Sequence, residues 1–206
     1  MDKITTGEAL TMTFLYRRIT MSIFDNLRNS VSNAVGGGSA QSGTFTFTFQ
    51  RLPESLDEMK ALPEAAMDTP YKTAALTVLA LCAYAAAPEI GKEMLNFLKG
   101  PAPLSGYEIS FLNDRFRDSK LVPFSYFAGA TPENSYTPSQ PFTLTIFSNP
   151  YSFQSENRAT LHLNSGGADN PRQIKLRLKP SEEKWYLEEQ MILVGIRAAK
   201  TDDPWA

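Results

Sequence analysis

The sequence predicts an α+β fold, and three observations carry the prediction. Helix signals crowd residues 55–118, strand signals crowd residues 142–189, and one alternating stretch, TFTFTFQ from Thr44, stands ahead of both. Helices and strands segregated along a chain fold as an antiparallel sheet with helices against it. The expected architecture is an N-terminal edge strand, a central apolar helix with flanking helices, and a C-terminal antiparallel meander of about four strands. With 206 residues, one such domain buries about 70% of its unfolded surface and needs neither disulfide nor metal to be stable.

Residues 1–20 mix Thr, Leu, Phe and Arg without a period. Their longest apolar run, 14–16, is far shorter than the core of a signal peptide. They read as an upstream over-call, with Met21 as the start. Residues 21–35, MSIFDNLRNSVSNAV, then place Ile23, Phe24, Leu27, Val31 and Val35 on one helical stripe, with Ser22 able to cap. Residues 36–43, GGGSAQSG, are a flexible linker by composition. A tethered amphipathic helix docks on a protein partner or its own domain, lies on a membrane surface, or stays a disordered tail. Asp25 and Arg28 cancel, so anionic lipid gains no attraction, and protein docking is the first expectation.

Residues 44–206 read as a single domain. Phe45, Phe47 and Phe49 alternate with threonines, the period of a strand with one aromatic face inward. Ser55 and Glu58 form a capping box for a short helix closed by Pro63. Thr69 and Pro70 then open the helix over 70–87, an N-cap hydroxyl followed by proline at the first position. Residues 71–87, YKTAALTVLALCAYAAA, are apolar on every side, which places the helix inside a domain or a bilayer. A span needs about 20 apolar residues, so this helix, bounded by Lys72 and Pro88, is the hub of a core, and its alanines invite close backbone approach. Pro88 starts the next helix, with Ile90, Met94, Leu95 and Leu98 buried, and Gly100-Pro101 ends it. Ser105 and Glu108 form a second capping box, with Ile109, Leu112 and Phe116 facing inward. Residues 121–140 hold three prolines and read as a long ordered loop. Strands are expected at 142–147, 159–164, 172–178 and 184–189, with 191–196 extending the last strand or opening a helix.

Balanced charge, 20 Lys and Arg against 22 Asp and Glu, excludes the basic face of a nucleic-acid binder. The single Cys82 and the single His162 give no ligand spacing, so no metal and no cofactor is expected. Cys82 reads as a buried hydrophobe, in keeping with a reducing, cytoplasmic compartment.

Four stretches, LKGPAPLSGYE (98–108), SYFAGATPENSYTPSQPF (125–142), SGGADNPRQIKLRLK (165–179) and the DPWA ending, together with MSIFDNLRNSV, resemble an uncharacterised bacterial domain-of-unknown-function family. The resemblance implies a soluble bacterial protein beginning near Met21. It carries no activity, substrate or catalytic residue.

Candidate chemistry therefore rests on residue types. His162, the only imidazole, is the default general base, although a lone strand histidine is more often a surface residue. Gly166 and Gly167 can expose N–H groups as an anion nest with Arg172 beside them. The plainer reading is a hairpin loop with positive φ at a glycine and Asp169 capping its own turn. Tyr126 and Tyr136 line a pocket or seal a core edge. Glu188 or Glu189 is expected to pair with Lys175 or Arg177 across the sheet. No nucleophile, base and metal constellation emerges, so the expectation leans away from an enzyme. It favours a non-enzymatic interaction module with a tethered amphipathic helix, cytoplasmic and, as a second choice, peripheral to a membrane. The alternative is a small-ligand-binding domain or enzyme with a pocket between sheet and helices, lined by the Tyr126–Tyr136 loop, His162 and Arg172.

Overall fold

A computed structural model describes residues 43–202. The readings for 1–20, 21–35, most of the 36–43 linker and the tail around Trp205 lie outside the described residues. Those described belong to one compact unit. It is an α+β fold of five strands and four α-helices: β1 (Thr44–Phe49), α1 (Leu56–Lys60), α2 (Pro70–Ala86), α3 (Pro88–Lys99), α4 (Gly106–Asp118), β2 (Phe142–Phe147), β3 (Arg158–Leu163), β4 (Arg172–Lys179) and β5 (Lys184–Gln190).

The sheet is antiparallel throughout, in the order β1-β2-β3-β4-β5, so the four C-terminal strands form a meander and β1 is an edge. Phe45, Phe47 and Phe49 face Ile146, Leu144 and Phe142 across the β1–β2 register. Their threonine neighbours form hydroxyl pairs on the outer side, Thr46 with Thr145 at 3.2 Å and Thr48 with Thr143 at 3.5 Å. The inner face continues through Leu161, Leu163, Ile174 and Leu176, all fully buried.

Between β2 and β3 the pairing is short, only Ile146↔Leu163 and Phe147↔His162. The cause is the long loop after α4. Its Phe127 bridges Leu144 and the Ala128 N–H donates to the Thr143 carbonyl at 2.7 Å, so the loop takes the place beside β2 that β3 would have filled. Asn134 fixes this loop by accepting from the Thr131 and Thr137 N–H groups and donating to the Gly129 and Thr137 carbonyls.

α2 is the hub that its sequence predicts. From Pro70 to Ala85 only Lys72 and Ala83 are not buried, and its polar groups all find partners. The Thr73 hydroxyl donates to the Trp185 carbonyl of β5, Thr77 to Thr73, and Tyr84 to Asn113. Thr69 caps the helix and Pro70 opens it. α3 approaches this helix closely at a glycine: a Cβ on Gly91 of α3 would lie 2.2 Å from the Tyr84 Cα. Among the described residues no helix is long and apolar enough to cross a membrane.

Two local expectations change. Ser55 accepts from the Glu58 N–H, but Glu58 reaches past it to the Glu54 N–H and to Arg51. Residues 191–196 are neither strand nor helix. Met191 still bonds to Gln173, after which Gly195 turns the chain with φ +67° and ends regular pairing.

Candidate functional site

The sequence-chosen residues come together in part, and what they meet is the protein's own C-terminal segment. The buried Tyr126 hydroxyl donates to the Ile192 carbonyl at 2.6 Å, and Tyr136 donates to the Arg197 carbonyl at 2.7 Å. Arg172 donates from Nε to the Val194 carbonyl at 2.8 Å and from Nη2 to that of Gly195. The Gly167 carbonyl accepts from the Arg197 N–H, and Asp169 pairs with the Arg197 guanidinium instead of capping its own turn. Burial raises the Tyr126 phenol pKa well above its ordinary value.

Neither Gly166 nor Gly167 has positive φ, which corrects the turn expected there. Both are glycine because neighbours are too close for a side chain. A Cβ would meet the Ala130 carbonyl oxygen at 1.9 Å from Gly166, and the Tyr136 hydroxyl at 1.9 Å from Gly167. Their N–H groups donate internally, to the Ser125 carbonyl and the Ser165 hydroxyl.

His162 stands apart, on the outer face of the sheet. Its ring stacks on Phe147 at 5.7 Å, and Nε2 lies 3.5 Å and 3.4 Å from the Asn149 and Gln173 amides. Nδ1 is buried without a hydrogen-bond partner. Burial pushes the imidazole below its ordinary value, opposed in part by the Phe147 backbone. The ring, among amides and an aromatic face, thus favours its neutral form more than a free imidazole does. Lys175 and Glu189 pair across the sheet at 2.7 Å, and Arg158 takes Glu188 at 3.1 Å.

The open concave surface lies elsewhere. α2, α3, α4 and the end of β5 surround an apolar cleft of about 280 Å³, walled by Leu81, Leu95, Leu104, Phe111, Leu112, Leu187 and Met191. Tyr107 and Val194 stand on its rim, 81% and 46% exposed. Lys99 and Glu108 mark its polar side. The Lys99 ammonium, only 7% exposed, donates to Glu108 at 2.7 Å and to the Glu188 carbonyl at 3.3 Å. Burial alone would raise the Glu108 pKa, but the Lys99 ammonium with the Ser105 N–H and hydroxyl holds it below the usual carboxylate value. The same carboxylate completes the capping box of α4, so one side chain fixes both the helix start and the cleft wall. Behind Lys99 a second cleft of about 370 Å³ is bordered by Pro101, Arg177, Lys179, Tyr186 and Glu188. Burial and the Glu182 carboxylate push the Tyr186 phenol up to about 12.

A family model matches residues 51–200, described as a domain of unknown function. The chain belongs to this family, DUF6935. No curated protein and no solved structure matches it. The DUF6935 match contains every residue that lines the apolar cleft, whereas β1 precedes it. Sequence reading missed the cleft because Lys99 and Glu108 lie on different helices, nine positions apart. Tyr107 gave a weak signal, as a bulky aromatic in the first turn of a helix whose buried stripe it does not join.

Proposed function

We propose that this DUF6935 chain is a protein-interaction module, in which the apolar cleft beside Lys99 and Glu108 takes apolar side chains of a protein partner. One observation carries the reading. Of the three large hydrophobic residues exposed among the described ones, Tyr107, Tyr151 and Val194, two share the rim of this cleft. Clustered exposed apolar residues mark contact surfaces, whereas scattered ones do not. Volume supports a side-chain occupant. About 280 Å³ stands at the lower edge of the roughly 300–1,000 Å³ of small-molecule sites and suits one or two bulky side chains. The stripe Ile23, Phe24, Leu27, Val31 and Val35 belongs to the same proposal as a second docking element, and so does a bacterial, cytoplasmic setting, which the lone buried thiol of Cys82 supports.

The test places a photoreactive residue at position 107 of the full chain and irradiates producing cells. A discrete protein adduct is expected, absent in Val194→Asp and absent when the probe stands at position 151. Equal labelling from 107 and 151 would overturn the proposal. A small molecule that co-purifies and is lost in Arg177→Gln would instead favour a ligand site in the second cleft, away from the Tyr126–Tyr136 loop, His162 and Arg172.

A further inference from the structure

The two edges of the sheet are built differently. On β5 the edge is guarded: the Trp185 N–H donates to the Met67 carbonyl at 2.8 Å, the Thr73 hydroxyl caps the Trp185 carbonyl, and the Lys99 ammonium takes the Glu188 carbonyl. On β1 no hydrogen bond leaves the outer side among the described residues, although every second residue of an antiparallel strand turns its N–H and carbonyl outward. Open edges are ordinarily blunted by charge, proline or a bulge. TFTFTF has no charge and no proline, and its register with β2 runs without a shift. The first charged residue after β1 in the chain, Arg51, is paired with Glu58 at 3.0 Å.

We propose that β1 pairs with β1 of a second copy of this chain, antiparallel about a two-fold axis at Thr46, joining two five-stranded sheets into one. The pattern is complementary to itself. With Thr46 opposite Thr46 of the second copy, Thr44 meets Thr48 and Phe45 meets Phe47, so hydroxyls line one face and rings the other. A slip by one residue would oppose threonine to phenylalanine and turn each row to the wrong face. A two-fold axis also brings every residue against its own kind, so a charged edge would repel itself and this neutral one does not. The choice of axis follows from burial. Phe49 is already buried, whereas Phe45 and Phe47 remain partly exposed, and this register sets those two rings against each other. The Thr46–Thr145 and Thr48–Thr143 pairs would continue across the junction as one threonine ladder.

The full chain should sediment at twice its 22.9 kDa mass in a concentration-dependent way. Thr46→Lys, which sets two ammonium groups face to face, should return it to monomer, with the thermal midpoint of the parent diluted until it too is monomeric. Thr46→Cys should form an intermolecular disulfide on oxidation, because directly opposed residues have Cα atoms about 4.5–5.5 Å apart. Thr44→Cys, which faces position 48, should not. A chain monomeric at every concentration overturns the proposal, whether its β1 amides exchange freely or are protected by other residues of the chain. A dimer that persists in Thr46→Lys overturns it as well, because the interface then lies elsewhere.

Discussion

At the scale of single residues, Lys99 decides most. It ends α3, where positive charge favours the helix terminus, and it is nearly buried. A buried ammonium is tolerable only with partners, and Glu108 supplies the charged one. Glu108→Gln keeps the shape but leaves that ammonium uncompensated. Glu108 is about one-third exposed, so water screens part of the loss, and about 2 kcal/mol of destabilisation is expected instead of the 3–5 of a fully buried pair. The pH dependence follows from the lowered carboxylate pKa. The folded state favours the charged form, so the contribution is complete above the ordinary value of 4.5 and is lost as pH falls through the lower, folded value. Urea midpoints measured from about pH 7 down to pH 3 should therefore fall more steeply in the parent than in Glu108→Gln. Parallel curves would show that the pair contributes nothing.

At the scale of elements, the loop joining β3 to β4 shows how a glycine pair is used. Gly167 has no side chain because the Tyr136 hydroxyl occupies that space on its way to the Arg197 carbonyl. Gly167→Ala displaces the hydroxyl and overfills a packed junction, at a cost of about 2 kcal/mol and a midpoint lower by roughly 4–8 °C. Gly106→Ala is the control. A Cβ there meets nothing within 4 Å, and it replaces a flexible residue in the first turn of α4, so calorimetry should show no loss. The loop over 121–140 was legible as a long ordered connection from its prolines and aromatics. That it inserts beside β2 was not, because Phe127 and Leu144 are brought together only when the sheet forms. Capping at Thr69 and Ser105 was legible because each cap hydroxyl and the N–H group it accepts from lie three residues apart.

At the scale of the whole molecule, the segment 192–197 ties together elements far apart in sequence: the aromatic loop through Tyr126 and Tyr136, and the β3–β4 loop through Gly167 and Asp169. Arg172 anchors its turn by two bonds to main-chain carbonyls. Arg172→Met should accelerate amide exchange across 192–199 and in the 121–140 loop while α2 stays protected, the pattern of a locally opening unit. Uniform acceleration, α2 included, would show instead that this segment opens only with the whole domain.

Periods and caps act over a few residues, so the sequence alone was enough to place every strand and α-helix described, the buried hub and the alternation that turns TFTFTF into an edge. Tertiary structure alone decided which distant groups meet: Lys99 with Glu108, the tyrosines with the C-terminal carbonyls, Tyr107 with Val194 around a cleft. Those meetings depend on where separate elements come to rest against one another, and side-chain chemistry read in order along the chain carries no record of that distance.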